Sequence, residues 1–383
     1  MLLTGSGRLA PAGRSPWAIR MEDGRIAWVG DPSDAADEDR LDVGGALVTP
    51  GLADSHTHPI FAGDRSDEAA ARLEGAPYTE GGILRTMRST RTASDDELVA
   101  LIEARLRAAL AAGTTTVECK SGYGLSLEEE LRHLRLLRAA AEKLPIRVVP
   151  TFLGAHAVPP DAPADYAGHV ADDMIPAVAV EGLARFVDVF SDSGFFDLAA
   201  TERIGTAARD AGLGIRLHAD QLTRTGAAEL GIRLGAASVD HLEQLDADGV
   251  AALAGSETVA TLLPAPAVVL RDRLPPARAL LDAGAHVALA SDANAGTYGG
   301  FGTMPLVIGL GATLLGMTVT EALTAATAGG GAALDVPLLG TLEPGAPADL
   351  VAWDAEHEGA FALRLGAVRA LRVWSAGVEV TAS

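Results

Sequence analysis

The chain has 383 residues, 48% of them hydrophobic, and a formal net charge of −21. That length allows a large core, and so acidic a surface repels nucleic acid and anionic membranes, so neither is expected as a partner. Cys119 is the one cysteine, which excludes an intrachain disulfide and a thiolate-built metal cluster; it reads as a small buried hydrophobe.

The opening "MLLTGSGRLAPAGRS" lacks the basic start and long apolar run of a secretory signal. Apolar stretches further on are broken by Arg, Asp and Gly before they reach membrane-spanning length. A cytoplasmic, enzyme-sized protein is the expectation. The stretch "WAIRMEDGRIAWVG" sets two apolar runs around Asp23-Gly24, which predicts a hairpin. Short strands with Gly turns recur at the far end, in "PADLVAWD" and "ALRVWSAGVEV". Residues 1–48 and 340–383 are therefore expected to form one small β-sandwich from both termini.

Between them, strand and helix signals alternate. Strand candidates are "ALVTPGLADSH", "TTTVECK", "IRVVPTFLG", "RFVDVF", "GIRLHA", "ASVDH", "TVATLLP" and "HVALASDA". Amphipathic segments such as "DDELVALIEARLRAALAAG" and "LEEELRHLRLLRAAAEKL" separate them, several ending in Gly. Eight strands alternating with helices predict an α/β fold, a (β/α)8 barrel over residues 49–339.

The barrel makes sense of the polar residues at the strand ends. Side chains at i and i+2 of a strand share a face, so His56 and His58 point to one spot above the barrel. Two imidazoles there suit a divalent metal. Taken alone, H-x-H is equally a hydrogen-bonded pair at a loop. Four further strands deliver His156, His218, His241 and Asp292 to the same end, and this agreement favours the metal. Two histidines, a third and an Asp leave one position open for a water of lowered pKa. Asp292 by itself would also serve as a helix N-cap. His133 and His169 fall in helical or loop contexts, His286 starts a strand and His357 lies in the terminal domain; these four read as structural or solvent-facing.

Lys120 and Tyr123 lie in "KSGYGL", where two glycines permit a tight loop that lays Tyr123 over the site, or simply a βα turn. Lys120 also raises the option of a carbamylated, metal-bridging lysine. Arg65 suits bidentate recognition of a carboxylate, or an ion pair with Asp64 or Asp67.

In this order, "HTHPIFAGDR", "GGILRTMRSTRTAS", "KSGYGL", "TFLGAHAVP", "HADQL", "DHLEQ" and "SDANAG" resemble the amidohydrolase superfamily and, within it, the imidazolonepropionase family. The resemblance covers nearly the whole chain. It implies hydrolysis of 4-imidazolone-5-propanoate to N-formimidoyl-L-glutamate in histidine degradation, a homodimer, and one Zn or Fe ion on His56, His58, His218 and Asp292. It also implies that Arg65 and Tyr78 hold the propionate side and that Tyr123 and His156 contact the ring. Gln221 matches a position that is Glu or Gln in the family. Asn294, Gly296 and Thr297 match the loop after the last strand, and His241 a histidine beside the reacting water. His241, Asp292 and Gln221 are thus the catalytic candidates.

The chain departs from the family pattern after Asp292, where Ala-Asn-Ala-Gly-Thr replaces Phe-Asn-Pro-Gly-Ser; a looser, wider substrate loop is the expectation. Ser191-Asp192 stands where the family has Cys-Glu. The alternatives are another amidohydrolase opening a related cyclic amide or deaminating a heterocycle, and a barrel kept for binding alone. The last would have lost a metal ligand, and all four candidates are present.

Overall fold

A computed structural model describes residues 1–35, 40–76 and 81–380. Among them sixteen strands form three sheets. In chain order they are β1 Leu2–Gly5, β2 Trp17–Glu22, β3 Arg25–Gly30, β4 Arg40–Asp42, β5 Leu47–Pro50, β6 Leu52–Asp54, β7 Thr114–Lys120 and β8 Arg147–Ala155. There follow β9 Phe186–Ser191, β10 Gly214–Ala219, β11 Ser238–His241, β12 Val259–Leu262, β13 Val287–Leu289, β14 Leu350–Trp353, β15 Ala370–Ser375 and β16 Val378–Val380.

β6 to β13 pair in sequence order, every pair parallel, with helices between. This is the expected eight-stranded α/β barrel. Its last seam is closed beyond the strand ends, where the Asp292 N–H donates to His56 O at 3.0 Å and the His58 N–H to Ala293 O at 2.9 Å. The segments that carry the candidate ligands therefore also close the barrel.

Both termini supply the other two sheets, ordered β3-β2-β1-β4 and β16-β15-β14-β5. Leu3, Trp17, Ile19 and Ile26 of the first pack against Val48, Leu350, Ala352 and Trp374 of the second in one apolar cluster. The hairpin at Asp23-Gly24 forms with both residues at positive φ, 48° and 73°, as its tight turn requires. The stretch "ALVTPGLADSH" is two strands rather than one: Leu47–Pro50 joins the terminal sheet and Leu52–Asp54 opens the barrel. Gly51 lies between them, and a Cβ there would meet Thr115 Oγ1 at 2.1 Å, so only glycine lets the chain pass so close.

The expected helices form, and Ser94, Ser126, Asp197 and Asp246 cap four of them by accepting from backbone N–H groups. The segments at Gly81–Thr92 and Met304–Leu314 are helical too. The first opens on two glycines and carries few apolar residues, although its buried Gly82, Ile83, Thr86, Met87 and Thr90 keep the helical period; the second is apolar almost all round, without the amphipathic period that marks a surface helix.

Strands β7, β9, β10 and β11 alternate between the two faces of the barrel wall. Val117 and Cys119, Val187 and Val189, Ile215 and Leu217, and Val239 join the apolar layer under the helices. Glu118 and Lys120, Asp188, Arg216 and His218, and Asp240 take the other face and are fully or almost fully buried inside the barrel. Because Trp374 is fully buried between the terminal sheets, Trp374→Ala is expected to lower the unfolding free energy by about 3–5 kcal/mol, read from the denaturant midpoint at unchanged slope.

Candidate metal centre and active site

The ring nitrogens of three histidines converge above the barrel. His58 Nε2 lies 3.3 Å from His56 Nε2 and 3.4 Å from His218 Nε2, and Asp292 Oδ1 lies 3.6 Å from His56 Nε2 and 3.4 Å from His58 Nε2. All four side chains are buried. Two ligands of one ion with bonds of about 2.0–2.1 Å lie no more than about 4.2 Å apart, so these spacings are within reach of a single ion, and the three histidines each offer a nitrogen within 4.8 Å of the others.

The protons around the site support the same conclusion. His56 Nδ1 meets Asp240 Oδ2 at 2.7 Å, and His218 Nδ1 meets Asp188 Oδ1 at 3.0 Å. Each carboxylate can only accept, so each Nδ1 carries the proton and each Nε2 turns a lone pair inward. Burial pulls the pKa of His56 well below its ordinary value, and Lys120 and the neighbouring histidines add to the effect. Burial also lowers His218, with Asp188 opposing. Burial resists ionisation of Asp292, but the hydrogen bond and charge of His58, with His241 and His218, prevail and hold its carboxyl below the usual range. Imidazole nitrogens around a carboxylate are a donor set for a divalent cation, and the residues fit one.

Beneath the ligands, Arg216 donates to Asp240 Oδ2 at 3.0 Å and to Ser55 O, next to His56, at 2.6 Å. Lys120 Nζ sits 2.8 Å from both Glu118 Oε1 and Asp188 Oδ2. The Thr57 N–H and hydroxyl donate to Glu118 Oε2 and O at 3.1 and 2.6 Å, fixing the residue between the two histidines. The sequence reading overlooked Glu118, Asp188, Arg216 and Asp240. Their signal was present as charged residues at alternate positions of otherwise apolar strands. Lys120 is enclosed by ion pairs, and carbamylation, which would replace its ammonium, does not fit that cage.

His58, Arg65, Tyr123, His156, His218, Gln221, His241, Asp292, Asn294 and Thr297 line one pocket above this centre, together with Ile83 and Phe190. Gly296 flanks it through Arg65. Tyr78 lies outside the described residues. The sequence thus named most of the lining, and Ile83 and Phe190, apolar walls without a chemical signature, it did not.

Each loop is tied down by a buried group. Glu130 accepts from the N–H groups of Gly122, Gly124 and Leu125 at 3.1, 2.8 and 2.7 Å, which sets Tyr123 in place. His156 Nδ1 donates to Gly122 O at 2.9 Å, and its ring stacks on His58 with centroids 5.2 Å apart. Asp192 accepts from the N–H groups of Leu222 and Thr223 at 2.8 and 3.1 Å, holding the loop that carries Gln221. Asn294 donates to Asp292 O and Thr297 Oγ1 and accepts from the N–H groups of Gly296 and Thr297, all between 2.6 and 2.8 Å. The loop expected to be loose without its proline is instead closed by these bonds.

His241 stands at φ 82°, with Nδ1 3.4 Å from Glu243 Oε1. Burial opposes its charge, but Glu243, Asp292 and Asp240 outweigh burial and raise its pKa. Arg65 pairs with neither Asp64 nor Asp67. It binds Glu68 through Nε and Nη2 at 2.8 and 2.6 Å, and Arg72 reaches the same carboxylate at 2.6 Å.

Comparison with known proteins agrees with this geometry. The model of the amidohydrolase family matches residues 47–380. An imidazolonepropionase of Salinispora arenicola is 48% identical over 93% of this chain and 92% of its own length. One of Ralstonia nicotianae is 46% identical over 91% and 89%. Among solved structures, a 5-methylcytosine deaminase from Klebsiella pneumoniae superposes with a TM-score of 0.81 at 17% identity, covering 100% of this chain and 98% of its own. An adenosine deaminase from Xanthomonas campestris with bound zinc gives 0.72 at 18%, over 99% and 92%. At that identity the two structures speak for the fold alone. The chain belongs to the amidohydrolase family and, within it, to the imidazolonepropionases. It is accordingly a hydrolase.

The Arg65 guanidinium is clamped between two glycines: a Cβ on Gly82 would meet Nη2 at 1.8 Å, and one on Gly296 would meet Nη1 at 2.1 Å. Gly296→Ala therefore forces aside the end of a side chain rather than backbone. It is expected to raise KM for a carboxylate-bearing substrate at least tenfold, with a smaller change in kcat and an unmoved Tm.

Proposed function

We propose that the chain opens the ring of 4-imidazolone-5-propanoate with water, giving N-formimidoyl-L-glutamate in histidine degradation. The supporting observation is the convergence of three imidazole nitrogens, with Asp292 Oδ1 at 3.4 and 3.6 Å from two of them, in one pocket with Arg65. The names of relatives at 46–48% identity point to the same reaction. One divalent ion, zinc or iron, would be held by His56, His58, His218 and Asp292; nitrogen and oxygen donors suit either metal. Bound there, the ion lowers the pKa of water and polarises a carbonyl.

The chain's own residues do the rest. Arg65 holds the propionate, which does not react, and so positions the ring; Tyr78 is placed with it by resemblance. Tyr123, His156, Asn294, Gly296 and Thr297 frame the ring, and the Gln221 amide offers it both a donor and an acceptor. The water oxygen bonds to the ring carbonyl carbon, the C–N bond breaks, and the nitrogen leaves with a proton. His241 supplies positive charge against the developing oxyanion. Asp292, as the carboxylate, accepts the proton from water, and Asp292 or the imidazolium of His241 passes a proton to the leaving nitrogen, Asp292 then reprotonating His241 in the second case. The homodimer and the cytoplasmic location implied by the resemblance and the sequence belong to this reading; among the described residues no helix is long and apolar enough to cross a membrane.

The test is turnover of freshly prepared 4-imidazolone-5-propanoate, followed as loss of ultraviolet absorbance. The metal content of the chain and of a His56→Ala, His58→Ala variant is assayed beside it. Turnover that disappears with the metal is expected, and bound metal without turnover would move the chain to another cyclic amide. If protonated His241 is needed, activity falls as pH rises through its pKa. Glu243→Gln removes a charge that raises this pKa, so the alkaline limb of kcat/KM is expected to shift to lower pH.

A further inference from the structure

We propose that Lys120 is a positioning residue for the metal centre: its buried ammonium holds the carboxylates that aim His218 and, secondarily, His56 at the ion. This rests on the metal reading above.

Lys120 is fully buried, as are its partners Glu118, Asp188 and Asp240, with Nζ 2.8, 2.8 and 4.0 Å from their oxygens. Asp188 uses Oδ1 for both the ring Nδ1 and the backbone N–H of His218, at 3.0 and 3.1 Å. Its Oδ2 has no other cation among the described residues than Lys120. Asp240 is different, because Arg216 also holds it at 3.0 Å. Losing the ammonium therefore frees Asp188 to turn, and His218 with it, while Asp240 and His56 keep a support.

A count of buried charge gives the inference a direction. Glu118, Asp188 and Asp240 surround Lys120 and Arg216 with one negative charge in excess, and Asp292 among the histidines adds a second; a divalent ion would neutralise the two. Removing the Lys120 charge makes the interior more negative. If charge alone governed the site, the metal would bind more tightly without it. If Lys120 acts by position, the metal binds more weakly, because His218 loses its aim. The two effects have opposite signs.

The experiment strips the metal from wild type, Lys120→Met and the double variant Glu118→Gln, Lys120→Met. Each is then titrated with zinc against a chromophoric chelator, and the Tm of each metal-free form is recorded. The double variant restores the wild-type charge count but leaves Asp188 Oδ2 without its cation. The expected result is a zinc Kd raised roughly 10- to 100-fold in both variants. An unchanged or lower Kd in folded Lys120→Met, or recovery of wild-type affinity in the double variant, overturns the proposal. Should Lys120→Met fail to fold, the charge-balanced double variant decides the matter. Wild type that binds no zinc or iron would instead refute the metal reading itself.

Discussion

The structure depends on burying charge inside a barrel. Parallel barrels ordinarily fill their interior with branched apolar side chains. Here Glu118, Lys120, Asp188, Arg216 and Asp240 occupy it, all without exposure to solvent. Isolated, each would cost several kcal/mol of desolvation. Together they pair, and the carboxylates that remain face the ring nitrogens of His56 and His218. A buried ion pair adds little to stability on average. Its use here is directional, since a charged network with few degrees of freedom fixes which nitrogen of each histidine carries the proton.

That network is continuous with barrel closure. β6 and β13 do not zip together directly; the chain beyond them does, through His56, Thr57 and His58 on one side and Asp292 and Ala293 on the other. The geometry of three of the four donors, His56, His58 and Asp292, is thus set by the ladder that seals the barrel, and His218 comes up from β10. Around the rim a second tier repeats the principle. Glu130, Asp192 and Asn294 each gather several backbone N–H groups, so the loops carrying Tyr123, Gln221 and Thr297 are ordered before any ligand arrives. Such preorganisation reduces the reorganisation left for the reaction step.

Fold and substrate are separable in this architecture. A deaminase of 5-methylcytosine shares the barrel and terminal sheets at 17% identity. The residue proposed to select a carboxylate-bearing substrate is Arg65, wedged between Gly82 and Gly296 and steadied by Glu68. Those glycines come from a helix 17 residues after Arg65 and from the loop after the last strand, so the wedge exists only once both segments fold over it.

The sequence by itself determined the barrel, the strand-rich termini and the histidines and aspartate that gather at one rim. Period-two and helical patterning are local properties, and strand ends bring their residues to one rim whatever the loops do. It also named Arg65, Tyr123, His156, Gln221, His241, Asn294, Gly296 and Thr297, because their motifs are distinctive. Only the tertiary structure decided what surrounds them. That Asp188 and Asp240 serve His218 and His56, that Lys120 is an ammonium in a cage, and that Arg65 pairs with Glu68 are contacts across the fold. No spacing along the chain encodes them. The break at Gly51 was hidden for the same reason: a run of apolar residues reads as one strand, and only the approach of Thr115 shows that the chain passes there from one sheet to another.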